Sequence, residues 1–160
     1  GWLGHDTPFA FEQRYRAGQG IDRMRVGTPP ILQMVALEAA LDIWDDIDLD
    51  DVRARSIELS ERFLVGVEAG CPDLTLASPR DPAERGSQVS FRFEHGYAAM
   101  QAMIANGVIG DFRAPDIMRF GITPLYLDET DIDQAVATLT RILEKRLWDT
   151  PAFKTRAAVT

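Results

Sequence analysis

The period of apolar positions changes several times along the chain, and each change marks an element. Between Ile31 and Trp44 the spacing is helical: Ile31, Met34, Val35, Leu41 and Trp44 fall on or near one face. Leu32, Ala36, Leu37, Ala39 and Ala40 make most of the remaining surface apolar as well, so this helix is expected to be buried on several sides. Thr28 reads as its N-cap, with Pro29 and Pro30 in a first turn that needs no amide donors. The acidic run Asp45-Asp46-Ile47-Asp48-Leu49-Asp50-Asp51 ends the helix and offers a cap for the next one. That second helix runs from about Asp51 to Ala69, with Val52, Ser56, Leu59, Phe63 and Val67 as its stripe and Gly70 and Pro72 as its stop.

Strands and helices then mix. Leu74 to Ser78 reads as a short strand, followed by a polar loop to Gly86. Val89, Phe91 and Phe93 alternate with Ser90 and Arg92, the mark of a strand with one buried face. Tyr97, Met100, Met103 and Ile104 make a helix closed by Asn106-Gly107. Val108 to Phe112 and Ile117 to Phe120 are two further strands. A last helix opens at Thr130 with Ile132, Val136, Leu139, Ile142 and Leu143 inward, and the tail from Thr150 is expected to fray. This order predicts a small α+β layer, an antiparallel or mixed sheet covered by helices on one face. Residues 1–30 are rich in glycine and proline and read as loop with short strand pieces. A hinge in the acidic run divides the chain into residues 1–47 and 48–160. The first part, which opens without methionine, is expected to be the end of a larger domain.

Composition narrows the class. Of 160 residues, 46% are apolar, enough for a core, and the net charge of −8 is spread along the chain. That balance speaks against nucleic acid and anionic membranes as partners, which call for basic clusters. No apolar run approaches the roughly 20 residues that span a bilayer. Cys71 is the single cysteine, so no intrachain disulfide can form and a reducing cytoplasm is the expected compartment. One cysteine and two distant histidines, His5 and His95, do not make a structural zinc site.

No nucleophile motif, metal-binding helix or phosphate loop is present, and Gly18-x-Gly20 reads as a turn. His5 reads as a structural hydrogen-bonder and His95 as a turn residue. Three residues carry chemistry. Trp2 has one N–H donor on a large apolar face, with packing in a core or interface as the plainer alternative. Thr28 sets a hydroxyl at a helix N-terminus, where free amides and the helix dipole attract phosphate, with a plain N-cap as its alternative. Arg119 interrupts the apolar run Ile117-Met118-Arg119-Phe120-Gly121. A buried arginine needs an anionic partner, and its fork can hold a carboxylate through two hydrogen bonds. The alternative is an edge-strand arginine facing water.

Four segments together resemble kynureninase motifs, in order and at plausible spacing: Gly1-Trp2-Leu3-Gly4-His5, Met24-Arg25-Val26-Gly27-Thr28-Pro29-Pro30-Ile31-Leu32, Glu84-Arg85-Gly86-Ser87-Gln88 and Ile117-Met118-Arg119-Phe120-Gly121-Ile122-Thr123-Pro124-Leu125-Tyr126. The resemblance runs from residue 1 to about residue 147. It implies the aspartate-aminotransferase fold of enzymes that use pyridoxal 5′-phosphate (PLP), with this chain as the end of the large domain followed by the small C-terminal domain. It further implies a cytoplasmic homodimer that hydrolyses L-kynurenine to anthranilate and L-alanine in tryptophan catabolism and NAD biosynthesis. Trp2 and Thr28 would bind the cofactor phosphate, and Arg119 the substrate α-carboxylate. The family's Schiff-base lysine lies before the first of these motifs, and the only lysines here, Lys145 and Lys154, fall in the last helix and the tail. The chain alone is therefore expected to be inactive, with no catalytic residue of its own. Two other readings stay open: another PLP enzyme of this fold, such as a cysteine desulfurase using Cys71 or an aminotransferase, and a non-catalytic interaction domain that reuses the fold.

Overall fold

The computed structural model describes residues 1–155. It falls into two compact units, Gly1–Ile47 and Asp48–Thr160.

The first unit has little regular structure before its helix. Short 3₁₀ helices occupy Trp2–Gly4, Pro8–Ala10 and Gly20–Met24, and an antiparallel bridge joins His5 to Ala17. Helix α1 spans Ile31–Leu41 and runs on into a 3₁₀ turn at Asp42–Trp44. Its N-cap is Pro30, not Thr28, and no side chain caps it. The two prolines are the reason. A residue before proline is driven out of the α region, so Thr28 and Pro29 are both kept extended and the helix starts later. Helix α1 contains no buried residue, and Leu32 is 88% exposed, so its apolar surface stands open within this unit. An all-apolar surface shows that a helix needs cover, but within this unit none is supplied.

The second unit holds the core. Helix α2 spans Leu49–Gly70, capped by Asp48, whose Oδ1 accepts from the Asp50 amide at 2.8 Å. Strand β1 is Thr75–Leu76, β2 is Gln88–Arg92, helix α3 is Gly96–Ala105, β3 is Asp111–Arg113 and β4 is Ile117–Gly121. Helix α4 spans Glu129–Glu144 from an Asp128 N-cap, with Asp131 closing a capping box; it therefore begins just before Thr130. Strand β3 begins at Asp111, three residues later than its apolar run suggests. The tail is also better ordered than expected, because Pro151–Lys154 form a short helix, α5, on α3. The part of that expectation covering residues 156–160 lies outside the described residues.

The sheet has the order β1-β2-β4-β3 and every pairing is antiparallel. Register sorts its faces. Val89 opposes Phe120 and Phe91 opposes Met118, and these four side chains face the helices. Phe63 of α2 meets Phe91 and Phe120 with ring centroids 6.3 and 5.0 Å apart. Leu59, Leu64, Val67, Met100, Met103, Leu139 and Ile142 complete the core. Each such side chain contributes about 1.5–3 kcal/mol through the area it removes from water. Helices α2 and α4 approach closely because α2 presents glycines: a Cβ on Gly66 would lie 2.9 Å from Val136 Cγ1, and one on Gly70 would lie 2.5 Å from Thr140 Oγ1. At the rim, Arg62 grips Asp133 through two 2.6 Å bonds and Arg55 reaches Glu129 at 2.6 Å.

Candidate functional site

Strand β4 is interior, flanked by β2 and β3, which removes the edge-strand reading of Arg119. Alternation puts Arg119 on the face away from the helices, opposite Ser90 on one neighbour and Asp111 on the other. Its side chain is 29% exposed, and its Nη2 donates to Asp111 Oδ2. Arg113 reaches the same oxygen at 3.2 Å. The Arg119 guanidinium, with lesser help from Arg113, holds the Asp111 carboxyl below the usual carboxylate range. The Nε of Arg119 is buried and has no hydrogen-bond partner among the described residues. The side chain is thus anchored through Nη2 alone, with Nε and Nη1 unpartnered among the described residues. This is the arrangement of a cation presented at a surface rather than consumed in a core ion pair.

Trp2 and Thr28 lie in the first unit. The 3₁₀ turn carrying Trp2 packs on the one spanning Gly20–Met24, which leads into Thr28. Gly4 permits that contact, since a Cβ there would stand 2.4 Å from the Arg23 carbonyl oxygen. The Gly4 carbonyl in turn accepts from Tyr15 Oη at 2.9 Å and the Gly18 amide at 2.8 Å. Trp2 is 49% exposed, meets Phe9 edge-on at 5.5 Å, and its indole N–H has no acceptor among the described residues. Thr28 is exposed. The first backbone bond of α1 runs from the Met34 amide to the Pro30 carbonyl at 3.0 Å, so the amides of Ile31, Leu32 and Gln33 are free of the helix's own carbonyls. His5 is structural, as its sequence context suggests: Nδ1 accepts from the Thr7 amide at 2.9 Å, which leaves Nε2 to donate to the Arg14 carbonyl at 3.1 Å.

Two features were not singled out from sequence. Asp111 is one; the β3–β4 hairpin is symmetric about Pro115, and recognising that turn would have paired Asp111 with Arg119. The other is Arg85, inside one of the recurring motifs. Its side chain is 3% exposed, binds Glu61, and donates to the carbonyls of Pro79 at 3.1 Å and Arg80 at 2.6 Å. Arg53 donates to the carbonyls of Pro82 and Arg85. Together these two arginines hold the loop before β2, with Arg85 Nε buried and unpartnered among the described residues. Hydrogen bonding from Arg80, then from Arg85, holds the Glu61 carboxyl below its ordinary range.

Other candidates carry less chemistry. A cleft of about 210 Å³ lined by Phe63, Val108, Phe120, Ile122 and Ile132 is apolar, and its one carboxylate, Asp131, is engaged in the α4 cap. Cys71 is 2% exposed, and burial pushes its thiol up despite a 3.5 Å contact with Thr140 Oγ1. A thiol of that kind is a poor nucleophile. His95 caps α3 and stacks on buried Trp148, with ring centroids 4.3 Å apart.

Among solved structures, a cysteine desulfurase from Thermococcus onnurineus superposes with a TM-score of 0.69 over 82% of this chain and 36% of that one, at 14% identity. A NifS-like protein gives 0.63 over 80% of this chain and 38% of its own, at 17% identity. The fold is the C-terminal part of the PLP-dependent transferase architecture, and those identities show the fold alone. A family model for the kynureninase C-terminal domain matches residues 52–139. Kynureninases from Burkholderia mallei and Burkholderia pseudomallei are 46% identical over the whole chain, and one from Pseudomonas fluorescens is 44% identical. The chain belongs to the kynureninase family. It spans 39% of the length of those curated relatives.

Proposed function

We propose that this chain supplies the substrate-carboxylate site and part of the cofactor-phosphate site of a PLP-dependent kynureninase, which hydrolyses L-kynurenine to anthranilate and L-alanine. The observation that carries the reading is Arg119, an interior-strand arginine on the sheet face away from the helices, with Nη1 unpartnered among the described residues. Its fork receives the α-carboxylate and orients the amino acid. The residues present fit the phosphate end of PLP: the indole N–H of Trp2, the Thr28 hydroxyl and the uncapped start of α1 are donors for an anion. When bound, PLP supplies the electron sink for cleavage of the substrate. The aldehyde end has no matching lysine, since Lys154 pairs with Asp149 and Lys145 sits at the C-terminal end of α4. The exposed apolar side chains of the first unit support its proposed place as the end of a larger domain, in a cytoplasmic homodimer whose sites draw on both subunits. A desulfurase reading is disfavoured by the burial of Cys71.

The test is anthranilate release from L-kynurenine with added PLP, followed by fluorescence. An enzyme joining this chain to a lysine-bearing large domain should turn over, and the 160-residue chain alone should not. Failure of the joined enzyme to act on kynurenine overturns the substrate assignment. Turnover by the chain alone overturns the requirement for that lysine.

A further inference from the structure

We propose that Asp111 is a positioning residue that holds the fork of Arg119 ready for a carboxylate; the proposal rests on the reading of Arg119 as a carboxylate receiver. The two residues are register partners on neighbouring antiparallel strands, so their side chains rise from the same face of the sheet. Asp111 Oδ2 takes the Arg119 Nη2 but leaves Nε unpartnered, so the contact is single rather than a closed two-point pair. A closed pair would satisfy the guanidinium and shut out a ligand. A single contact fixes the side chain and leaves Nη1 for another oxygen. Arg113 shares the same carboxylate oxygen at 3.2 Å, so the Asp111 charge is balanced before any ligand arrives. A second carboxylate then meets two guanidinium groups and one aspartate, and its entry does not strand Asp111 without a cation. Arg119 has no alternative tether: its backbone is fixed in the centre of the sheet, and Asp111 is the one side chain among the described residues that it hydrogen-bonds. Without Asp111, a long side chain with an unpartnered buried Nε samples other rotamers and arrives at a ligand disordered.

Two substitutions separate position from charge. Asp111→Asn keeps an oxygen that accepts from Nη2, whereas Asp111→Ala removes it. The probe is L-alanine, an α-amino acid carboxylate, titrated into the ¹⁵N-labelled 160-residue chain while the Arg119 Nε–H resonance is followed, its assignment fixed by its loss in Arg119→Lys. The wild-type resonance should shift saturably and exchange slowly with water. Asp111→Asn should bind within about twofold of wild type, and Asp111→Ala about tenfold more weakly, the scale of one charge-assisted hydrogen bond. In Asp111→Ala the Nε–H should also exchange faster, while amide signals of Val89, Phe91 and Met118 stay in place. Faster exchange with unchanged affinity overturns the proposal and leaves the carboxylate reading of Arg119 standing. Tighter binding by Asp111→Ala also overturns it, because Asp111 would then be a competitor. A wild-type resonance indifferent to L-alanine overturns both readings together.

Discussion

Replacing Arg119 by lysine should move stability and ligand affinity in opposite directions. The Nε of Arg119 is buried and unpartnered among the described residues, and lysine places a methylene at that position. An unsatisfied buried donor costs about 1–3 kcal/mol, and burying a methylene in its stead adds about 0.8 kcal/mol. The loss to set against this is the contact with Asp111. Both partners are partly exposed, at 29% and 44%, and a lysine ammonium can still reach that carboxylate. Exposed pairs of this kind contribute about 0–1 kcal/mol, so the apolar gain wins. Arg119→Lys is therefore expected to stabilise the chain by about 1–4 kcal/mol, read as a higher urea midpoint at unchanged slope. The same change removes the Nη1 that the Asp111 contact leaves for a ligand and keeps only a point charge. In an enzyme that includes this chain, kynurenine binding should weaken by about 1.5–3 kcal/mol, seen in kcat/KM. A residue retained at a cost to stability and needed for binding is a functional one. A variant that is less stable than wild type by more than 1 kcal/mol would refute the account of the buried Nε. An unchanged kcat/KM would refute the carboxylate assignment.

Three further outcomes follow from the packing and the charges. Gly66→Ala should destabilise by about 1 kcal/mol, since overpacking against Val136 (about 1–3 kcal/mol) outweighs the helix-propensity gain of about 1 kcal/mol. In a Val136→Ala background the same substitution should stabilise, and additive urea midpoints across that cycle would show that the two side chains do not meet. The thermal midpoint should fall as acid is added between pH 4.5 and about 2: Arg55 holds Glu129 down to about 2, Lys154 and Arg146 hold Asp149 down to about 2, and Arg62 lowers Asp133. Carboxyls depressed in the folded state lend stability above their unfolded pKa and lose it as pH drops through the folded one, so a flat profile across that window would contradict these pairings. Cys71 should resist iodoacetamide in the folded chain and react once urea is added; stoichiometric labelling of the folded chain would restore the case for a reactive cysteine.

The order of elements, the stripe of α2 and the inward set of α4 were legible because binary patterning is local: a period of 3.6 or 2 is written in adjacent residues and survives in the fold. The family could also be read from the sequence, because its motifs lie in continuous runs. Trp2, Thr28 and Arg119 stood out for the same reason, each set off by its immediate neighbours. What adjacent residues do not encode is which partner a side chain finds across space. Thr28 lost its capping role to the combined restriction of two prolines, a backbone effect that overrides side-chain preference. The apolar surface of α1 called for cover that its own unit does not provide. Arg119 became an interior-strand residue only through the crossover that sets β4 between β2 and β3, and Asp111 became its partner only through the register of the β3–β4 hairpin. Strand order and register are long-range choices, made by the helices packed on one face of the sheet. They settle which charges share the other face, and so an arginine that the sequence could merely flag stands beside its aspartate with a hydrogen-bonding edge left over.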